Sequence, residues 1–349
     1  MTGSSPLNVV CSVASYGSGD PSQAILIRRM GILREKKPRI TPRPDLFDRV
    51  MGWKWRLKNY FVAGHVSDGA PVMVGGCPRS GTTLMRTILD THPNICCGPE
   101  SSLMRLGALS SGKLAVRFDF PRDYVRTMAR ESHSQAEFID RFFLEYRSRF
   151  GKPRWAEKSP RNVLRLPYIR KHFPKSRFIH MIRDGRDVVC SLRTHPRFRV
   201  INGEFVDANT WNPIKPCIRR WVHCVETGLA HRGEPWYTEV RYEDLINDSE
   251  GTLRRLFEFL EEDWDPAVLD FHSVKSESRD VVKFPQNPEV KRPMYTSAMG
   301  RWRRDLTIDE QGLFKAMASD LLVKVGYEKD DQWEVGPAVD SEPDSDRHT

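Results

Sequence analysis

The chain has 349 residues, 39% of them hydrophobic and 29% charged, with a formal net charge of +9. That length and apolar share provide for one large α/β domain with appendages and exclude a disordered or fibrous chain. No stretch is long and apolar enough for a membrane-spanning helix, and seven cysteines without CxxC or metal-ligand spacing read as reduced thiols in a cytoplasmic protein.

The charge is uneven. Residues 1–60 carry eleven Lys/Arg against four acids, and residues 328–349 carry two against eight. The remaining body is basic, which suits a nucleic acid, an acidic membrane or a polyanionic small molecule. No RGG run, zinc-finger spacing or RNP-like aromatic pattern is present, so nucleic acid is not expected as a partner.

In chain order, residues 1–69 form a basic extension, poorly ordered over its first forty residues. The apolar segment Val9 to Val13 is too short for a signal peptide. Within the extension, Pro44 to Phe61 can form a helix with Leu46, Val50, Trp53, Leu57 and Phe61 on one side and Arg49, Lys54, Arg56 and Lys58 elsewhere. Its two readings are a membrane-surface or partner helix, and a helix packed on the domain with its basic face solvated; the second is the expectation.

The domain proper spans residues 70–328. Val72-Met-Val-Gly-Gly76 reads as a buried parallel strand, and Leu84, Met85, Ile88 and Leu89 recur at helical spacing until His92–Pro93 ends the helix. Between them, Cys77-Pro-Arg79-Ser80-Gly81-Thr82-Thr83 is a glycine-containing turn feeding a helix N-terminus, where backbone N–H groups and the helix dipole favour a phosphate or sulfate. The spacing is that of a P-loop, but Thr82 stands where the Walker lysine belongs, which argues against a triphosphate ligand.

Glu100 follows a Gly-Pro turn and by itself reads as a solvated carboxylate. Residues 103–150 read as helical, with Phe138, Ile139, Phe142, Phe143 and Tyr146 as a core stripe. Arg154–Lys158 reads as a short extended segment before a helix started by Ser159–Pro160. Arg177–Arg183 is an apolar strand turning at Asp184-Gly-Arg186 into a helix from Asp187 through Leu192. Trp236–Arg241 is a weaker strand, and Ser249–Leu260 a helix with Leu253, Leu256, Phe257 and Leu260 on one face. Residues 329–349 read as an acidic disordered tail.

Strands alternating with helices predict a P-loop-like α/β fold: a central, mostly parallel sheet with helices on both faces. Ligands of such sheets sit outside the carboxyl ends of the strands, and those ends carry Arg79, Lys158, Arg183 and Tyr242. Three cations and an aromatic there suit a nucleotide with several anionic groups.

Pro78-Arg-Ser-Gly-Thr-Thr83 together with Arg183-Asp-Gly-Arg-Asp-Val-Val-Cys-Ser191 resembles the paired nucleotide motifs of sulfotransferases that use 3′-phosphoadenosine-5′-phosphosulfate (PAPS). Val240–Leu245 and Gly300–Leu306 extend the resemblance, which runs from about Pro71 to Tyr327. Within that family the chain is most similar to tyrosylprotein sulfotransferases, whose Cys-Gly-Glu-Glu segment is matched by Cys97-Gly-Pro-Glu100. The resemblance implies Glu100 as base, and Arg79, Ser80, Gly81, Thr82 and Thr83 around the 5′-phosphosulfate. Lys158 falls at the leaving group, Arg183 and Ser191 at the 3′-phosphate, and Tyr242, Ser297 and Arg301 on the cofactor. The acceptor would be a hydroxyl or phenol on a peptide tyrosine or a small molecule, glycan or lipid, with no metal needed. His92 competes as a base but reads as structural, and His180 as core. Departures are the missing membrane anchor and the lack of a disulfide partner for Cys97, since Ala156 and Glu157 stand in that neighbourhood. The other classes consistent with the loop are a P-loop kinase and an inactive nucleotide-binding module.

Overall fold

The computed structural model describes residues 43–61, 64–194, 198–201, 204–207, 212–271 and 299–336. The first helix among these residues, α1 (Leu46–Phe61), leads into β1 (Val72–Gly76), α2 (Thr82–Thr91) and β2 (Ile95–Cys97). Three helices follow, α3 (Ser111–Phe118), α4 (Arg122–Glu131) and α5 (Gln135–Ser148), where one helical region was expected. Next come β3 (Arg154–Lys158), a 3-10 turn at Pro160–Arg165, α6 (Leu166–His172), β4 (Arg177–Ile182) and α7 (Gly185–Arg193). A hairpin of β5 (Phe198–Ile201) and β6 (Glu204–Asp207), unforeseen in the sequence, precedes α8 (Ile214–Leu229) and β7 (Tyr237–Arg241). The remaining helices are α9 (Tyr242–Asn247), α10 (Ser249–Leu260), α11 (Trp302–Asp305) and α12 (Ile308–Lys324), with a 3-10 turn at Pro266–Asp270.

Five strands form one sheet in the order β2-β3-β1-β4-β7, and every pairing in it is parallel. Along β1, Val72 and Val74 enter the core on one face and Met73 the core on the other, the period of two that a doubly covered strand requires. The larger core gathers Trp155, Phe178 and Ile182 with α5, α7 and α8; the smaller gathers Ile88, Leu89, Ile179 and Val240 with α10. The stripe Phe138, Ile139, Phe142, Phe143 and Tyr146 is buried as expected, Phe143 stacking on Trp155 at 4.8 Å between centroids. Helix α2 stops at His92, whose extended backbone (ψ 136°) is what a residue before proline adopts. The chain passes from β1 to β2 at the edge, returns to β3, then crosses to β4, so the carboxyl ends of β3, β1 and β4 lie side by side at a switch point.

Helix α1 is correctly placed but turned the other way. Met51 and Trp55 are buried in the larger core with Phe47 packed against it, whereas Leu46, Val50, Trp53 and Leu57 are exposed. Two contacts set this rotation. Buried Asp48 accepts a hydrogen bond from the Ser111 N–H at 3.0 Å, and a Cβ on Gly52 would stand 2.2 Å from the Gly107 carbonyl oxygen. Only a bare glycine lets the helix approach that loop. At the other end of the chain Trp333 is also in the larger core, so the packed unit draws on parts of both the basic extension and the acidic tail.

Candidate active site

All five strands of the sheet deliver a candidate residue near their carboxyl ends. β1 ends in the turn carrying Arg79, and β2 is followed by Glu100. β3 ends in Lys158, β4 is followed by Arg183, and β7 by Tyr242.

The β1 turn has a backbone that its sequence explains. Gly81 takes φ 84°, and a Cβ there would meet the Tyr242 ring at 2.6 Å. Arg79 also has positive φ, 78°, a conformation that costs a non-glycine residue energy and gathers at functional sites. Arg79 Nε donates to Ser191 Oγ at 2.9 Å on α7, and its carbonyl accepts from Arg183 Nη1 at 3.1 Å. No side chain among the described residues caps the N-terminus of α2, and that first turn holds no acid. The buried Ser80 hydroxyl makes no hydrogen bond among the described residues. An orphaned buried donor beside an uncapped helix end fits a phosphate or sulfate group, which would satisfy both.

Lys158 occupies the middle of the arrangement. Its Nζ lies 3.7 Å from Glu100 Oε2 and donates to Thr83 Oγ1 at 3.4 Å. Burial lowers the Lys158 pKa, the carboxylate of Glu100 opposing that shift. Burial alone would raise Glu100, but Lys158, Lys113 and Arg117 together with the Ser102 hydroxyl hold its carboxyl below the usual carboxylate value. Glu100 keeps 38% of its side chain exposed, so it faces an open approach rather than a sealed core.

Arg183 lies over the Tyr242 ring at 4.6 Å from its centroid, and its own carbonyl accepts from Trp221 Nε1 at 3.1 Å. Thr82 is buried at the head of α2. Arg301 is more peripheral: its guanidinium is engaged by Asp305, Nε to Oδ2 at 2.6 Å. Its segment is held to α7 by Asp187, which accepts from the N–H groups of Gly300 (2.8 Å) and Trp302 (3.0 Å). Burial, reinforced by the charge of Asp184, pushes Asp187 up to about 6. Ser297 lies outside the described residues.

The other titratable candidates are structural, as expected. His92 Nε2 bonds to the Asp263 carbonyl at 2.9 Å and its ring stacks on Phe257. His180 is fully buried against the Tyr237 hydroxyl at 2.6 Å, and burial drives its pKa down to about 3. The six cysteines among the described residues are buried, and the strand register sets Cys97 opposite Ala156.

Sequence reasoning missed Glu157. This buried carboxylate accepts from Ser101 Oγ at 2.7 Å, Ser159 Oγ at 2.6 Å and Asn162 Nδ2 at 2.5 Å, with the Ser101 N–H a further donor at 3.3 Å. It thereby pins the residue after Glu100 to the strand that ends in Lys158. A signal existed, since a carboxylate inside an otherwise buried strand must find donors. Also missed were Lys113, whose Nζ donates to Ser102 Oγ at 3.2 Å, and Arg117, whose Nη1 donates to the Glu100 carbonyl at 2.7 Å.

A parallel sheet with an anion-binding turn, cations on adjacent strand ends and a carboxylate facing a lysine describes a group-transfer enzyme acting on an anionic donor. The model of the sulfotransferase family matches residues 71–266, more than half of the chain, and the chain belongs to that family. It is 30% identical over 270 residues to Protein-tyrosine sulfotransferase 1 of Danio rerio, covering 74% of this chain and 72% of that protein. Protein-tyrosine sulfotransferase 1 of Homo sapiens is also 30% identical, over 272 residues, covering 74% and 69%. Among solved structures, the sulfotransferase domain of the Synechococcus PCC 7002 olefin synthase covers 73% of this chain and 96% of its own, with TM-score 0.53 and 20% identity. The sulfotransferase domain from the curacin biosynthetic pathway has the same TM-score, 0.53, at 17% identity, covering 72% and 97%. Both share the fold. The chain is thus a sulfotransferase that resembles protein-tyrosine sulfotransferases.

Proposed function

We propose that this enzyme transfers the sulfuryl group of PAPS to the phenolic hydroxyl of a tyrosine, with Glu100 as the base. The observation that carries the reading is the line Thr83–Lys158–Glu100. A donor-loop hydroxyl, a buried cation and a solvent-facing carboxylate follow one another at 3.4 and 3.7 Å. Sulfuryl transfer resembles phosphoryl transfer: in-line displacement through a loose transition state, with charge gathering on the leaving oxygen. Such a reaction needs donor and acceptor held in line and the new charge neutralised.

In this reading the loop N–H groups, Ser80, Thr82, Thr83 and Arg79 hold the 5′-phosphosulfate. Arg183 and Ser191 hold the 3′-phosphate, with Tyr242 and Arg301 contributing to the nucleotide site. The acceptor oxygen attacks sulfur from the Glu100 side and its proton passes to a Glu100 oxygen. The S–O bond to the phosphate breaks, and Lys158 meets the negative charge on the departing 3′,5′-ADP. Glu100 is ionised at neutral pH because its cationic neighbours lower its pKa. A base of that strength suits a phenol, pKa ~10, better than an alkyl alcohol. The likeness to protein-tyrosine sulfotransferases supports the same acceptor. We propose a cytoplasmic location with it, on the strength of the buried thiols Cys77, Cys96, Cys97, Cys190 and Cys224; fractionation of tagged protein tests that.

The direct test is turnover of PAPS with a tyrosine peptide and with the same peptide carrying phenylalanine, followed as 3′,5′-ADP release. Tyrosine-dependent release that disappears in Glu100→Gln supports the reading. If Glu100→Gln turns over at the parental rate, the base is another group. Stabilisation of the fold by Mg-ATP but not by 3′,5′-ADP would remove the donor assignment.

A further inference from the structure

We propose that α1 lies on an anionic lipid surface, with its outward face embedded in the headgroup layer. That face is a continuous apolar stripe: Leu46, Val50, Trp53 and Leu57 follow at spacings of four, three and four and are 75%, 53%, 64% and 40% exposed. Four of the ten large hydrophobic side chains exposed among the described residues thus fall on one line of one helix. Solvation does not account for such clustering, because exposed apolar residues on a monomer normally scatter singly.

The charges beside the stripe decide what covers it. On a helical wheel Arg49 and Arg56 flank it on one side and Lys54 and Lys58 on the other, and Arg49, Lys54 and Arg56 are exposed. The outward half of the helix holds no carboxylate. Asp48 is buried against the Ser111 N–H, and Asp45, ahead of the helix, pairs with Arg122 at 2.7 Å and with Arg126. A protein partner would have to bring an acidic rim of its own around an apolar centre. Cations alone on both edges of a Trp/Leu/Val stripe, with long stems that lie along apolar surface while the heads reach lipid phosphates, are the pattern of a helix lying in a membrane interface. Residues 1–42, which precede the helix, add six Lys/Arg against two acids to the same attraction. The opposite face, through Met51 and Trp55, is anchored in the core, so α1 lies tangential to the body. No helix among the described residues is long and apolar enough to cross a membrane, and α1 docks without crossing.

The test is co-sedimentation of the full chain with vesicles of phosphatidylcholine mixed with phosphatidylserine, and with vesicles of phosphatidylcholine alone. The expected result is binding to the mixed vesicles that weakens as salt rises, and little binding to the neutral ones. Val50→Glu with Trp53→Glu should lower the partition about tenfold or more at an unchanged melting temperature, since both side chains point to solvent. Lys54→Glu alone should reduce binding at low salt. The proposal is overturned if the parent chain stays in the supernatant, or if the double variant sediments like the parent. It also fails if light scattering shows a dimer that the double variant dissolves, because the stripe then joins two copies of the chain.

Discussion

Glu100 and Glu157 are two carboxylates near each other with opposite situations. Glu100 is partly open and held below the usual carboxylate value of 4.5. If it is the base, the acid limb of kcat against pH falls below that value, and Glu100→Gln lowers kcat by about 10²–10⁴ while leaving 3′,5′-ADP affinity intact. Rate profiles and a thermal shift with the nucleotide check both statements. Glu157 is closed in by Ser101, Ser159 and Asn162. Glu157→Gln sets an amide NH₂ against Asn162 Nδ2, so one donor loses its acceptor at a cost of about 1–3 kcal/mol. Thermal denaturation should show that loss, and kcat should fall more than the KM for PAPS changes, because the variant loosens the Glu100 turn and not the nucleotide loop.

Elements were legible where their own residues decide them, and obscure where distant partners do. The turn after β1 could be read because Gly81 needs its positive φ and because proline ends α2 after His92. Lys158 and Arg183 could be placed because the first ends a short extended segment and the second closes an apolar strand. The rotation of α1 could not, because Phe47, Met51 and Trp55 recur at the same helical period as Leu46, Val50, Trp53 and Leu57. Periodicity defines two apolar lines there, and only the Ser111 N–H and the Gly107 carbonyl choose between them. The bonds of the Asp187 carboxylate were illegible for the same reason, since its partners Gly300 and Trp302 are more than a hundred residues away. Its folded pKa of about 6 lies above the ordinary 3.8, so folding takes up a proton between those values. The stability it contributes is present below 3.8 and is lost as pH rises to about 6. Urea midpoints across that range should fall less steeply with rising pH in Asp187→Asn than in the parent. Gly81→Ala belongs to this scale too: strain at φ 84° and collision with the Tyr242 ring should weaken 3′,5′-ADP binding about tenfold or more.

At the scale of the molecule, the segment after α12 braces the proposed donor side of the site. The Arg186 guanidinium lies against both the Trp302 and Trp333 rings, 4.1 and 4.8 Å from their centroids, and bonds to Asp184 and Glu328. Tyr327 donates to Glu243 at 2.5 Å, and Glu243 accepts the Asp184 N–H at 3.0 Å. The turn that carries Arg183 is therefore clamped by residues beyond α12. Trp333→Ala should cost about 3–5 kcal/mol by chemical denaturation and weaken nucleotide binding, whereas Trp333→Phe should keep most of both. The edge position of β2 has a consequence at this scale as well. Glu100 follows the outermost strand, so its approach to Lys158 depends on β3 pairing with β2.

The bond from Arg79 to Ser191, with Arg183 reaching back to the Arg79 carbonyl, joins the two ends of the proposed nucleotide site through one residue. Occupancy at one end then changes the cost of occupying the other. Two half-ligands, an adenosine 3′-phosphate and a pyrophosphate, are expected to bind with a free energy that exceeds the sum of their separate values. A nucleotide without its 3′-phosphate forfeits that surplus together with its direct contacts, so discrimination at the far end of the donor is felt at the end where sulfur moves.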